Sequence, residues 1–232
     1  MEHKKVTPAQ IEQLYTFTVQ HFVQYYDLQT ELTDHLANAI EAQWEQNPAL
    51  EFEEALQYEF KKFGVYGFSD VVKQRQKALG KKYSKLIWGY FKQFFTFPRI
   101  LLTACMLLLT YKLFEYEKLL YVALIVILAF TIIKKITDYK RTYNKKVKDT
   151  GKRWLLEEII FKGGGIAGLI GIPAQCIHFV IRDNTGEVTL WVLSVVFVLS
   201  ALASYVVLFI VPAKAEEHLA AVYPEYNLEK IS

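Results

Sequence analysis

Two polar side chains lie within apolar stretches long enough to form membrane segments, and they are the first candidates for chemistry. Gln175 and His178 both occur in the run that surrounds residue 175. A polar or ionisable group inside a membrane segment is a candidate for ligand binding or proton transfer. His178 lies only four residues before Arg182, so we expect it near an interface where hydration costs little. The pattern favours an interfacial histidine over a ligand.

A second candidate set is polar throughout. Glu31, Asp34 and His35 have the i, i+3, i+4 spacing that places them on one face of a helix. These side chains could hold a divalent cation, but a structural metal site needs further ligands and none is evident. We therefore interpret this face as a solvated surface or a partner-binding surface.

The remaining reactive side chains do not assemble into a catalytic pattern. Glu158 and Lys162 have the i, i+4 order of a helical ion pair, and Glu157 stands beside them. Cys105 and Cys176 both lie in apolar runs, so we expect two buried, inert thiols and no disulfide framework. The sequence predicts no catalytic, metal or cofactor site, and hence a protein that is not an enzyme.

A glycine-rich stretch follows Lys162 and suggests close helix packing. Small residues let membrane helices approach one another, and proline kinks a helix. The residues predicted to serve this purpose are Gly164, Gly165, Gly168, Gly171 and Pro173. A broken helix that lines a substrate path is the alternative interpretation.

Charge is unevenly distributed along the chain. Residues 1–72 carry four basic and twelve acidic side chains, whereas residues 73–99 carry eight basic and none acidic. Residues 134–153 carry nine basic side chains against two acidic ones. Because these basic runs adjoin apolar ones, a membrane surface explains them better than nucleic acid does. The side chains predicted to bind anionic lipid headgroups or the acidic N-terminal part are Lys134, Lys135, Lys140, Arg141, Lys145, Lys146 and Lys148.

Four apolar runs predict four membrane spans, at about residues 98–115, 118–135, 158–181 and 188–211. No secretory signal peptide precedes them. Basic side chains concentrate before the first run and between the second and third, so the positive-inside rule puts both termini in the cytoplasm. The predicted organisation is a head (1–75), a basic juxtamembrane helix (76–97), a membrane domain (98–212) and a tail (213–232).

The N-terminal part reads as a small bundle of helices. Thr7, Pro8 and Gln10 form a helix start with a capping box. Apolar residues then recur at helical spacing in three consecutive segments, and no strand-like alternation occurs. The fold class predicted is all-α, with a small cytoplasmic bundle ahead of a four-helix transmembrane domain.

The segment YDLQTELTDHL (residues 26–36) is the most distinctive in the bundle. Together with the Phe52, Leu56, Phe60, Phe63 and Gly67-Phe68 series, it resembles the HAAS-type and permease-prefix domains that open many bacterial membrane proteins. The resemblance covers about residues 8–75. It implies a cytoplasmic adapter or regulatory role at the bacterial inner membrane, beside a transcriptional regulator or a transporter.

Two functions from different classes remain open. The preferred one is a non-enzymatic signalling or regulatory membrane protein whose acidic head docks on the basic stretch. The alternative is a transporter subunit or permease accessory protein. The partners expected are the bilayer with its anionic headgroups and a cytoplasmic regulator or transporter subunit, with a homo-oligomer as a further option and no nucleic acid.

Overall fold

The computed structural model describes residues 4–162, 167–181, 186–223 and 226, and every regular element within these ranges is helical. This confirms the all-α class. The α-helices are α1 (Pro8–Gln20), α2 (Tyr26–Gln46), α3 (Phe52–Lys61), α4 (Ser69–Lys92), α5 (Arg99–Tyr116), α6 (Leu119–Thr150), α7 (Leu155–Lys162), α8 (Ala167–Gln175), α9 (Ile177–Ile181), α10 (Glu187–Tyr205), α11 (Val211–Ala213) and α12 (Ala215–Val222). A 3-10 turn (Gln93–Phe95) follows α4, and a π turn (Val206–Ile210) joins α10 to α11.

The chain forms two compact units. The first, which we call the head unit, consists of Met1–Leu79 together with Val147–Leu155. The second, the membrane unit, consists of Gly80–Lys146 together with Leu156–Ser232. Residues 147–155, here called the return segment, therefore belong to the head unit although they lie far from it in sequence.

Local sequence signals explain how the head unit begins. The Thr7 side chain accepts a hydrogen bond from the backbone of Gln10, whose side chain bonds back to the Thr7 backbone, so the predicted capping box is confirmed. The apolar stripe of α2 is buried along its length. Its members are Leu28, Leu32, Leu36, Ile40 and Trp44. An amphipathic helix of this kind is stabilised mainly by burying that stripe against its neighbours.

A tight turn connects α3 to α4 and closes the aromatic core of the head unit. Gly64 and Gly67 both have positive φ, of 75° and 52°. A Cβ on Gly67 would come within 3.0 Å of the Phe60 ring. That ring in turn lies 5.0 Å from Phe68, edge to face. Glycine is therefore required at residue 67 both by backbone conformation and by close approach.

Two helices are long and apolar enough to cross a membrane, namely α6 and the continuous stretch Glu187–Ala213. A third crossing is present if α4 and α5, bent by 80° at their junction, are one broken span. The apolar helical stretch Gly168–Ile181 is shorter. The structure thus indicates a membrane-embedded protein with two or three candidate spans rather than clearly four as predicted.

The basic stretch at 134–153 is mostly helix and not an irregular loop. Helix α6 continues from its apolar part through the basic part to Thr150. Lysine and arginine are good helix formers, and no glycine or proline interrupts the stretch before Gly151. The helix therefore ends only where Gly151 takes a positive φ of 69°.

Helix α8 contains Pro173 and ends at Gln175, and only Cys176 separates it from α9, so the helical stretch is interrupted close to the proline. The buried Tyr121 hydroxyl donates to the Pro173 carbonyl at 2.9 Å and so joins α6 to α8. Cys105 is exposed and Cys176 is partly exposed, and both are free. The prediction of a buried thiol at Cys105 is wrong, because Cys105 lies on a face of α5 whose apolar side chains, such as Leu101 and Leu108, are exposed.

Candidate functional site

The candidate site lies where the return segment meets the first turn of α2, entirely within the head unit. Gly151 ends α6 with a backbone hydrogen bond to the Val147 carbonyl at 2.9 Å. Its left-handed conformation is the usual one at the residue after a helix C-terminus. The chain that follows, Lys152-Arg153-Trp154-Leu155, is thereby directed onto α2.

Trp154 anchors this contact. Its side chain is 1% exposed, and its ring lies edge to face with Tyr26 at a centroid distance of 5.3 Å. Aromatic side chains bury more apolar area than any others, and such pairs add to the gain from burial. A fully buried tryptophan at the end of a strongly basic stretch is therefore the main apolar contact of the return segment.

At this contact the first N–H groups of α2 and α7 each find a hydrogen-bond acceptor next to the start of the other helix. Helix α2 begins at Tyr26 without a side-chain cap, and the Tyr26 N–H donates to the Arg153 carbonyl at 2.7 Å. Helix α7 begins at Leu155, whose N–H donates to Oδ1 of Asp27 at 3.2 Å. The first N–H groups of a helix have no partner within it, and a carboxylate is favoured near them. Asp27, which is 7% exposed, belongs to the first turn of α2 and also caps α7.

Two cationic side chains lie at the rim of the contact. The Arg153 guanidinium donates to Oε1 of Gln24 at 3.0 Å. The Lys152 ammonium stands 4.2 Å from the centre of the Tyr26 ring, which is cation–π geometry. These are the last two of the nine basic residues in 134–153, so charge contributes at the edge while apolar and backbone contacts form the centre.

The seven predicted docking residues precede these contacts in the chain. Lys148 belongs to the head unit, and Lys146 belongs to the membrane unit, where it pairs with Glu157 at 2.5 Å. Lys135 lies 4.9 Å from the centre of the Phe209 ring. Docking or lipid binding by these seven residues stays a prediction. The contacts that the head unit makes with this part of the chain lie at Lys152–Leu155 and were not anticipated.

The predicted partner-binding face of α2 is exposed. Glu31, Asp34 and His35 all reach solvent, and Glu31 forms a loose ion pair with Arg75 at 3.4 Å. His35 also lies 6.1 Å from the Phe63 ring. Within the described ranges no group of three or more His, Cys, Asp or Glu side chains is arranged to hold a metal ion. The face is thus available for a partner, and the partner itself stays a prediction.

A second polar cluster lies in the membrane unit, around the start of α7. Glu157 is 3% exposed and accepts from Lys146, whose ammonium also bonds the Tyr226 hydroxyl at 2.7 Å. Burial raises the pKa of the Tyr226 phenol, although its hydrogen bond to Lys146 opposes the shift. The predicted Glu158–Lys162 pair is confirmed at 3.1 Å. Sequence reasoning treated the C-terminal residues as a tail and so missed Tyr226.

The glycines predicted to pack helices behave differently from expectation where they are described. A Cβ added to Gly168 or to Gly171 would meet no atom within 4 Å. Close approach of another helix at these two residues therefore stays a prediction. Gly164 and Gly165 lie outside the described residues. Pro173 is buried and accepts the Tyr121 bond described above.

His178 and Gln175 lie near the end of the same helical stretch. Both are exposed on the protein surface, and Nδ1 of His178 lies within hydrogen-bonding distance of the Gln175 carbonyl. This contact is local to the helix, and the interfacial position of His178 stays a prediction.

Comparison with protein-family models, with curated proteins and with solved structures finds no match to this chain. The resemblance of residues 8–75 to HAAS-type and permease-prefix domains accordingly stays a prediction.

Proposed function

We propose that this chain is a non-enzymatic adapter of the bacterial inner membrane, in which a cytoplasmic helical head senses a partner and transmits its presence to the membrane helices. The observation that carries the proposal is the reciprocal capping at the return segment, with Trp154 buried against Tyr26. The return segment lies between the end of α6 and the body of α7. A head that holds it can influence the helices on either side.

The membrane topology proposed has four spans with both termini in the cytoplasm. Eight basic residues lie in 73–99, up to and including the first residue of α5, and nine lie between residues 134 and 153, whereas the connection from α5 to α6 carries few. Short loops rich in lysine and arginine are retained in the cytoplasm. This distribution supports a cytoplasmic head unit, return segment and C-terminus.

Signal transmission requires two states that a partner distinguishes. In one state the return segment is docked, and in the other it is released. A partner shifts this balance only by the difference in its affinity for the two states. The exposed Asp34 and His35 lie on α2 about two turns from Asp27, roughly 10 Å along the helix axis. A partner bound there contacts the same helix whose first turn holds the return segment.

The test is recovery of partners from native membranes in mild detergent, with the wild type and two double variants. Replacing Asp34 and His35 with alanine should remove a specific partner. Replacing Glu53 and Glu54, which are also exposed but lie on α3, should retain it. The recovered partner, added to purified protein, should alter hydrogen exchange in residues 147–155. An identical partner set for all three proteins would contradict the role of α2, and a partner without effect on that exchange would contradict transmission.

The alternative, a transporter subunit, is supported by the interrupted helix at Pro173 and by the open space beside Gly168. In that case Gly168→Leu should abolish uptake of a solute by cells while the protein still inserts and folds. Unchanged uptake of every solute tested, or a loss that merely follows lowered assembly, would exclude this function.

A further inference from the structure

An apolar groove of about 550 Å³ lies in the membrane unit between α4, α8 and α10. Ile87, Trp88 and Phe91 of α4 form one wall. Gly168 and Ile172 of α8 lie opposite, and residues from Val196 to Val207 form the floor. The volume is within the range of small-molecule sites, roughly 300–1,000 Å³. Gly168 contributes space to the groove, since a Cβ at this position would touch nothing within 4 Å.

The wall formed by α4 has the composition of a helix that lies in a membrane interface. Helix α4 meets α5 at 80°, so it runs close to the membrane plane if α5 crosses along the normal. Trp88 is 54% exposed, and Phe95, in the 3-10 turn that follows α4, is 41% exposed. Lysines accompany them along the chain. Exposed aromatic residues with lysines on the polar face are characteristic of helices that bind the headgroup region.

The length of the groove fits one leaflet of a bilayer. Along α10 it extends from Val196 to Val207. Eleven residues at 1.5 Å each give roughly 16 Å. Half of a hydrocarbon core is about 15 Å. In the proposed topology these residues belong to the half of α10 nearer the cytoplasm.

Cationic side chains next to residues that line the groove favour an anionic ligand. The Lys92 ammonium stands 5.3 Å from the centre of the Trp88 ring, and Lys92 is exposed. Lys85 is exposed one residue after Ser84, which lines the groove. Residues 73–99 contain no acidic side chain that would repel a phosphate.

We propose that this groove binds an anionic phospholipid of the cytoplasmic leaflet, with one acyl chain between α4, α8 and α10 and the phosphate at Lys92. The site is distinct from the basic residues at 134–148, for which headgroup binding was predicted. It rests on the proposed membrane topology, which places the groove in the cytoplasmic leaflet, and not on the adapter role. The acyl chain would cover apolar surface of the wall that is still exposed, above all at Trp88.

The experiment is native mass spectrometry of the full-length protein, purified in detergent and incubated with phosphatidylglycerol or phosphatidylcholine. The wild type should retain one phosphatidylglycerol per chain in preference to phosphatidylcholine. Gly168→Leu should lose it, because the new side chain enters the groove. Gly89→Leu is the matched control, since a Cβ at Gly89 is equally unobstructed but Gly89 does not line the groove.

A second pair of variants tests the headgroup without altering the groove. Lys92→Gln should weaken phosphatidylglycerol binding about fivefold, corresponding to about 1 kcal/mol per lysine near an anionic surface. Lys77→Gln, on the same helix but away from the groove, should leave it unchanged. The proposal would be overturned by equal loss of lipid in both glycine variants or by binding without a headgroup preference. It would also be overturned if the wild type held a second copy of the chain instead of lipid and Gly168→Leu abolished that dimer.

Discussion

Replacing Trp154 with alanine should release the return segment from the head unit. A buried Phe or Trp changed to Ala costs about 3–5 kcal/mol through lost burial and the cavity that remains. Trp154 is 1% exposed, so the range for a fully buried side chain applies to it. Because 1.4 kcal/mol corresponds to tenfold in an equilibrium, the released population should rise by roughly two to three and a half orders of magnitude. Trp154→Phe, which keeps the aromatic contact with Tyr26, should cost far less.

Hydrogen–deuterium exchange with mass spectrometry measures this release directly. The Tyr26 and Leu155 amides donate across the contact, so peptides containing them should lose protection in Trp154→Ala. Peptides from the middle of α2, whose stripe from Leu32 to Ile40 is buried independently, should keep theirs. Unchanged protection at Tyr26 and Leu155 would refute the role of Trp154 as the anchor. An equal loss throughout α2 would refute local release, since the whole head unit would then have unfolded.

Three further predictions concern stability of the purified protein in detergent, measured by thermal unfolding. Tyr83→Phe should stabilise the folded protein by up to about 1 kcal/mol, since the buried Tyr83 hydroxyl has no hydrogen-bond partner among the described residues. Tyr143→Phe should destabilise it by about as much, because the hydrogen bond to Glu158 is lost. A change of the same sign in both variants would contradict this reasoning. Gly151→Ala should cost about 1–3 kcal/mol because of its positive φ, while Gly89→Ala inside α4 should stabilise by about 0.5–1 kcal/mol. Burial lowers the pKa of His218 below the ordinary value of about 6.5, so the unfolded state binds more protons than the folded state. The stability of the protein should therefore fall as the pH drops below about 6.5. His218→Gln should reduce that fall, and parallel pH profiles of variant and wild type would contradict the role of His218.

The secondary structure of the head unit was largely predictable from the sequence. The capping box at Thr7 is present as predicted, and the stripe from Leu28 to Trp44 and the turn at Gly64 likewise depend on a few neighbouring residues. Hydrogen bonds between i and i+4 and apolar spacing of 3.6 residues are local properties, so they can be read along the chain. The Glu158–Lys162 pair was predictable for the same reason.

The membrane segments were less completely predictable. Apolar length identified α6 and α10, but the bend of 80° between α4 and α5 and the short stretch Gly168–Ile181 leave two or three candidate spans. Composition measures how apolar a stretch is, and it does not determine where its helix bends. The continuation of α6 to Thr150 agrees with the helix propensity of a lysine-rich sequence without glycine.

The candidate site depended on tertiary structure. Asp27 and Leu155 are 128 residues apart, and Lys146 and Tyr226 are 80 apart. The sequence shows a tryptophan at residue 154 after a glycine and a basic run, and it shows a helix start at Tyr26 without a capping side chain. Neither local pattern indicates that the two places are in contact. The sequence by itself determined the helices, their buried faces and the separation of charge, because those follow from neighbouring residues. Only the tertiary structure decided that the return segment caps α2 and that Asp27 caps α7, because closing so long a loop depends on the packing of the whole head unit.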